Sequence, residues 1–473
     1  MIGTYLEARL DVLYSHVAGI DVHKKQVTVT VRIPDPRRSA GRGEKTRTFR
    51  TFYADLLVMG SWLVECGVAR VAMESTGPYW WPVYAALREV GGPGLSVDVV
   101  NAAHVKAVPG RKTDVKDSQW LARLLEVGLL RGSFLPPDDI REIRDLTRYQ
   151  TKLTEERSRE KQRLLKVLEA AGIKLDVVAS DTFGVSGRSM LDALVAGERD
   201  PVVLAGLARG VLRNKTDDLR LALAGRFTGH HGQMIGLHLA RLDHLDQMIA
   251  QVREKIGHPG APGTSRRPPA EPAGLVAPFT EQIRLLTSIP GIGDRVATVI
   301  VSEIGVDMGR FPSAKRLAAW SGLAPGNNES GGRRRRARHR NGNTHVQSIL
   351  IEAALAASRT RTRLGARYHR LNRRFGGRAN KTAGKKAAFA VAHTLIKVIW
   401  TVLSTGQPYT DLGHDYYTRR VNPESHTRRL ITQLEAASGK KIILIDHDHG
   451  PPGPDTNSHN DVPDPHPDSE ATA

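Results

Sequence analysis

Pro136 and Pro137 divide the chain into two hydrophobic rhythms, and that division most constrains what it can fold into. Upstream, "HVAGIDVHKKQVTVTVRI" carries apolar residues at alternate positions on both sides of a short polar break. That is the period of paired strands with one face on a core. Downstream, "DDIREIRDLTRYQTKLTEERSREKQRLLKVLEAAG" repeats Ile140, Ile143, Leu146, Tyr149 and Leu153 every three or four residues. That is the period of a helix burying one stripe. With 473 residues, the chain is too long for one ordinary core, and several folded units are expected.

The strand-rich unit runs from residue 1 to about 135. It adds strand-like runs "ARVAMES" and "LSVDVVNA", a helix within "TGPYWWPVYAALREVG" and an amphipathic helix within "KTDVKDSQWLARLLEVGLL". Residues 136–257 read as a helical or coiled-coil arm, with "HLARLDHLDQMIAQVREKIG" folding back as an antiparallel partner. The Pro- and Gly-rich 258–278 reads as a linker, and 279–405 as a second, mainly helical, strongly basic domain. The polar, proline-rich residues 406–473 are expected to be largely disordered. The fold class expected is α/β plus all-α.

Lys and Arg outnumber Asp and Glu 69 to 49, a formal charge of +20, so a polyanion is the natural partner. Nucleic acid fits better than a membrane, because no stretch approaches the roughly 20 apolar residues of a bilayer span. The opening residues lack the order of a signal peptide, which predicts a cytoplasmic, nucleoid-associated protein. Cys66 is the only cysteine, so a multi-thiolate zinc site is excluded and any metal must be held by oxygen or histidine.

Four acids in the first domain suit such a site. Asp21 lies where the first strand is expected to begin, Glu74 ends a later one, and Asp114 and Asp117 lie three residues apart on one helix face. Phosphoryl transfer by metal ions requires oxygen ligands clustered in this way. Each acid alone reads more readily as a helix N-terminal or solvated residue, and it is their joint arrangement that points to metal.

In the second domain, "LLTSIPGIGDRVATVIVSEIG" has the spacing of a helix-hairpin-helix. There Gly291 and Gly293 would let backbone N–H groups approach a phosphate, with Arg295 beside them. Its plainer reading is a helical hairpin with a glycine turn. Next comes "GLAPGNNESGGRRRRARHRNGN". Local chemistry makes Ser330 a solvated loop residue, and Arg333, Arg334, Arg335, Arg336 and Arg338 a phosphate-binding strip. His339 and His345 flank the strip.

The segments "GIDVHKKQ", "ESTGPYW", "VVNAAHVKAV" and "RKTDVKDSQWLA" resemble the amino-terminal domain of DEDD transposases of the insertion-sequence-110 family. "RFPSAKRLAAWSGLAPGNNESGGRRRRARHRNGN" is similar to that family's carboxy-terminal domain. The resemblance implies a RuvC-like, ribonuclease H-like fold, with Asp21, Glu74, Asp114 and Asp117 as the acid set for a pair of Mg2+ ions. It implies that Ser330 is the nucleophile of a DNA recombinase acting on donor and target DNA. It also implies an element-encoded guide (bridge) RNA, and a homodimer or tetramer with composite active sites is expected. Two positions depart from the family pattern: Ser118, where Ala is common, and Gln347, where a basic residue is usual. The alternatives are a RuvC-like nuclease or resolvase that uses water, and a non-catalytic architectural DNA-binding protein.

Overall fold

The computed structural model describes residues 11–37, 41–75, 77–101, 117–257, 274–326, 329–334, 342–419 and 423–443. Its first unit is built on a five-stranded sheet in the order β3-β2-β1-β4-β5, with β1 (Val17–Val22) in the middle. β2 (Gln26–Pro34) and β3 (Arg42–Arg50) run antiparallel to their neighbours, while β4 (Arg70–Glu74) and β5 (Ser96–Val100) run parallel to β1. This mixed sheet is consistent with a ribonuclease H-like domain.

Alternation along the strands sorts the two faces. Ile20, Val22, Val27, Val29, Val31 and Met73 bury against helices α1 (Tyr53–Glu65) and α2 (Trp80–Gly91). The opposite face carries Gly19, Thr30 and Ala72 and is covered by α3 (Asp117–Glu126), whose Leu125 packs with Val17 and Ala72. β3 has no apolar alternation, yet it pairs with β2 along its full length. It is the exposed edge, where charged side chains discourage pairing with other chains.

α4 (Asp138–Ala170) and α5 (Gly229–Ile256) form the antiparallel arm. Arg157 meets Asp246, and further along α4, Glu160 meets His238. The far end is more than a coiled-coil turn: short helices between residues 175 and 223 bring Leu175, Leu191, Leu204 and Leu219 onto Leu164 and Leu168 as a separate core. The base of the arm belongs to the second unit. Ile140, Ile143, Ile249 and Ile256 share one core with α6 (Thr280–Thr287), α7 (Asp294–Ile304), α8 (Thr344–Ala357), α9 (Arg363–Arg374) and α10 (Ala383–Thr405). A two-stranded hairpin, β6 (Glu329–Ser330) with β7 (Arg333–Arg334), precedes α8.

Three expectations change. Gly274–Phe279, whose first residues fall inside the expected linker, form a helical turn, because Val276 and Phe279 are apolar enough to be drawn into that core. Part of the tail expected to be disordered is packed: Tyr409 donates its backbone N–H to Ser288 Oγ at 2.8 Å, and a helix spans Pro423–Ser438. Residues 444–473 of the expected tail lie outside the described residues. α10 is long and apolar enough to cross a bilayer by length and composition. Its Val391, Ala392, Leu395 and Ile399 are instead fully buried in the core of the second unit.

Candidate active site

Strand register brings two of the acids together. Ile20 pairs with Met73 across the parallel β1–β4 ladder, so the next residues, Asp21 and Glu74, are neighbours at the ends of adjacent strands. Both project from the face that α3 covers, since side chains two apart on a strand share a face. α3 comes very close there: a Cβ on Gly19 would stand 2.1 Å from the Ser118 carbonyl oxygen. Glycine is therefore required at position 19, and the contact sets the head of α3, with Asp117 as its first residue, across the end of β1.

Ser118 is fully buried and shares a 2.9 Å hydrogen bond with Thr30 Oγ1, which makes another of 2.9 Å with Thr46. The departure from Ala thus ties α3 to the sheet. Asp21 is 17% exposed, and its Oδ2 lies 2.9 Å from His23 Nε2. Asp114 lies outside the described residues. Among the described residues no group of three His, Cys, Asp or Glu side chains is disposed to hold a metal on its own. The donors brought to this end are carboxylates, the hard oxygen ligands that suit Mg2+.

The β6–β7 hairpin pairs Ser330 with Arg333 around Gly331 and Gly332, whose φ angles are +57° and +72°. Two successive positive φ values are the signature of a type I′ turn, which explains the glycine pair. A Cβ on either would meet nothing within 4 Å, so the corner stands clear of the fold. Arg333 is exposed on β7, and Arg334 continues that strand. Arg335, Arg336, Arg338 and His339 lie outside the described residues.

Beyond the hairpin the chain is firmly anchored. A Cβ on Gly342 would lie 2.2 Å from the Gly322 nitrogen, and Gln347 Nε2 donates to the Ser321 carbonyl at 3.0 Å. Gln347, without positive charge, ties α8 to the root of the "GLAP" turn. Asn343 caps α8 by accepting from the His345 and Val346 N–H groups, and its Nδ2 donates to Glu303 Oε2 at 2.7 Å.

Glu303 was not legible as a functional candidate. It is 0% exposed and takes a bidentate bond from Arg148 of the arm at 2.7 and 2.9 Å, while Arg144 donates to the Ser302 and Glu303 carbonyls. Burial alone would raise its carboxyl, but the bonds from Arg148 and Asn343 hold it below the ordinary value. Burial pushes Arg144 down to about 10. Burial, then Arg148, lowers His345, leaving that imidazole a weaker base than usual.

α6 and α7 form the expected helical hairpin. Gly291, at φ +90°, faces inward, where a Cβ would be 2.3 Å from the Ala353 carbonyl. Its glycine is accounted for by packing on α8. Gly293 opens outward with nothing within 4 Å, at the exposed head of α7. Arg295 is paired with Glu352.

Two family models match this chain. One for DEDD transposases of the IS110 type, described as Transposase, covers residues 18–173, and one described as Transposase IS116/IS110/IS902 family covers 283–369. A protein of Pseudomonas aeruginosa named probable family 20 transposase is 23% identical over 339 residues, 71% of this chain and 83% of that protein. A Streptomyces coelicolor protein, insertion element IS110 uncharacterized 43.6 kDa protein, is 31% identical over 127 residues, 26% of this chain and 29% of that protein. A DEDD-type domain joined to a helical transposase domain defines an enzyme that acts on DNA and, as a class, depends on divalent metal. The chain belongs to the IS110 family of transposases.

Proposed function

We propose that this transposase cleaves and rejoins DNA strands through the hydroxyl of Ser330, with Asp21, Glu74, Asp114 and Asp117 holding a pair of Mg2+ ions. The observation that carries this reading is the register that sets Asp21 beside Glu74, with the head of α3 packed across the same strand end. When bound, Mg2+ supplies positive charge against the phosphoryl oxygens of the scissile group. Ser330 adjoins the glycine corner of the hairpin, and Arg333 to Arg336 offset phosphate charge.

Attack by Ser330 Oγ forms a serine–phosphate ester as one P–O bond of the strand breaks, and the serine proton leaves with the departing oxygen. The reverse step joins a new DNA end and restores the hydroxyl, so the bond energy is conserved without ATP. Sequence choice is delegated to a guide RNA that pairs with donor and target DNA. The long stretch between the acids and Ser330 suits a site completed between protomers of a dimer or tetramer.

The test is to incubate supercoiled element DNA with guide RNA and Mg2+, and to look by denaturing gel for a covalent protein–DNA adduct. Ser330→Ala is expected to abolish the adduct, and Asp21→Ala to reduce strand cleavage by on the order of a thousandfold or more. Cleavage by Ser330→Ala at the unsubstituted rate would transfer the nucleophile's role to water. Unimpaired recombination by Asp21→Ala would remove the metal site. DNA binding without cleavage by the unsubstituted chain would support the architectural reading.

A further inference from the structure

Several arginines of this chain are matched by acids: Arg148 by Glu303, Arg188 by Asp192 and Asp243, and Arg32 by Glu44 and Glu126. One concave region departs from that habit. α9 lies against α10, and the chain returns over them through Gln407–Thr410, leaving a groove of about 550 Å3. Arg367, His393 and Lys397 line it.

Among the described residues neither Arg367 nor Lys397 has a carboxylate partner. Arg367 Nη1 reaches the Tyr417 hydroxyl at 3.3 Å, while its Nε is buried with no hydrogen-bond partner. The nearby acid, Asp411, is engaged by the Arg363 backbone N–H at 3.1 Å and by the Tyr409 hydroxyl at 3.3 Å. Burial first, then Lys397 and Arg367, hold His393 below the ordinary imidazole value, which is how a site lacking negative charge behaves. Gathering cations in a concavity without acids is unfavourable unless an anion compensates them.

The shape narrows the anion. Val398, Val402 and Tyr409 supply an apolar wall, which a small inorganic ion would not use. A nucleotide unit uses both features, since its phosphate matches a guanidinium fork and its sugar and base pack on aliphatic and aromatic surface. The positive surface also extends beyond one phosphate, because Arg363, Arg367, Arg370 and Arg374 recur at helical spacing along α9.

We propose that the groove between α9 and α10 is a nucleic-acid strand site, formed without the acid set or the serine hairpin. Arg367 and Lys397 grip one phosphodiester, and Tyr409 with Val402 takes the attached sugar and base. This assignment does not rest on Ser330 acting as nucleophile.

The experiment measures fluorescence anisotropy of a labelled duplex DNA and a labelled stem-loop RNA against the full chain over a range of salt. Lys397→Ala removes a cation, and Thr401→Glu puts a carboxylate on an exposed position of α10 beside the groove. Lys397→Ala is expected to weaken binding roughly fivefold at about 0.15 M salt and to make the slope of log affinity against log salt shallower by about one. Thr401→Glu is expected to weaken binding at least as much while melting with the unsubstituted chain. A loss confined to one probe names DNA or RNA as the occupant, and a loss with both assigns the groove to phosphodiesters of either. Unchanged affinity and slope for both probes, or no binding of either by the unsubstituted chain, overturns the proposal.

Discussion

Asp21 and Glu74 stand on strands hydrogen-bonded to a neighbour on each side, whereas Ser330 stands on a two-stranded hairpin whose glycine corner is exposed, with room for an added Cβ among the described residues. One half of the candidate site is placed by the register of a central sheet, where a one-residue slip would turn every side chain to the other face. The other half is placed by the dihedral angles of a short turn and by whatever holds the chain beyond it. The difference teaches where each half is vulnerable. The acids are lost only if the sheet is disturbed, while the hairpin depends on a few local contacts and one buried ion cluster.

That cluster is the place where the contrast breaks most sharply. Glu303→Gln keeps the shape but leaves Arg148 and Arg144 without their buried counter-charge, and a loss of about 3–5 kcal/mol is expected in urea unfolding. The acid dependence follows from the direction of the Glu303 shift. Its folded value lies below the ordinary 4.5, so its stabilisation is fully present above that value and is lost as pH falls through the folded value. The substituted protein should lack this acid-side loss. Equal stability and equal acid sensitivity in the two proteins would mean that the arm and the Asn343 cap are held by other contacts.

Gly332→Ala tests the hairpin half. An L side chain at φ +72° costs about 1–2 kcal/mol, yet the corner is exposed and the cores are untouched. The melting temperature should therefore stay put while adduct formation falls roughly tenfold. Gly332→Asn should recover much of it, because Asn tolerates the left-handed region. Full activity in Gly332→Ala would show that turn geometry does not position Ser330.

The same contrast governs what could be read in advance. β1, β2, β4 and β5 announce themselves through short apolar runs, because the sheet is covered by helices and its strands must bury apolar residues. β3 does not, being a charged edge whose strand character comes from pairing alone. The acids became candidates through their joint arrangement and were singled out as a set by motif resemblance, since no local pattern distinguishes Asp21 alone from a solvated aspartate. Glu303 was invisible for a different reason: its partners, Arg148 and Asn343, are distant in sequence and meet it only in the packed structure. The groove on α10 was hidden too. Its outer wall, Gln407–Thr410, opens a segment whose overall polarity masks Tyr409, a residue that docks on the core.

Ser118→Ala sharpens the comparison from the sheet side, with the smallest effect. The hydroxyl link from α3 through Thr30 to Thr46 is broken at its first member, but Thr30 keeps its 2.9 Å bond to Thr46 and is not left unsatisfied. The cost should be near that of one ordinary hydrogen bond, about 1 kcal/mol in urea unfolding. Strand cleavage should be nearly unchanged, because the close passage of the Ser118 backbone over Gly19 involves no side chain at 118 and still sets the head of α3. A large fall in cleavage with little loss of stability would reverse this. It would mean that the hydroxyl, rather than the backbone contact, positions Asp117, and that the sheet half is as dependent on single side chains as the hairpin half.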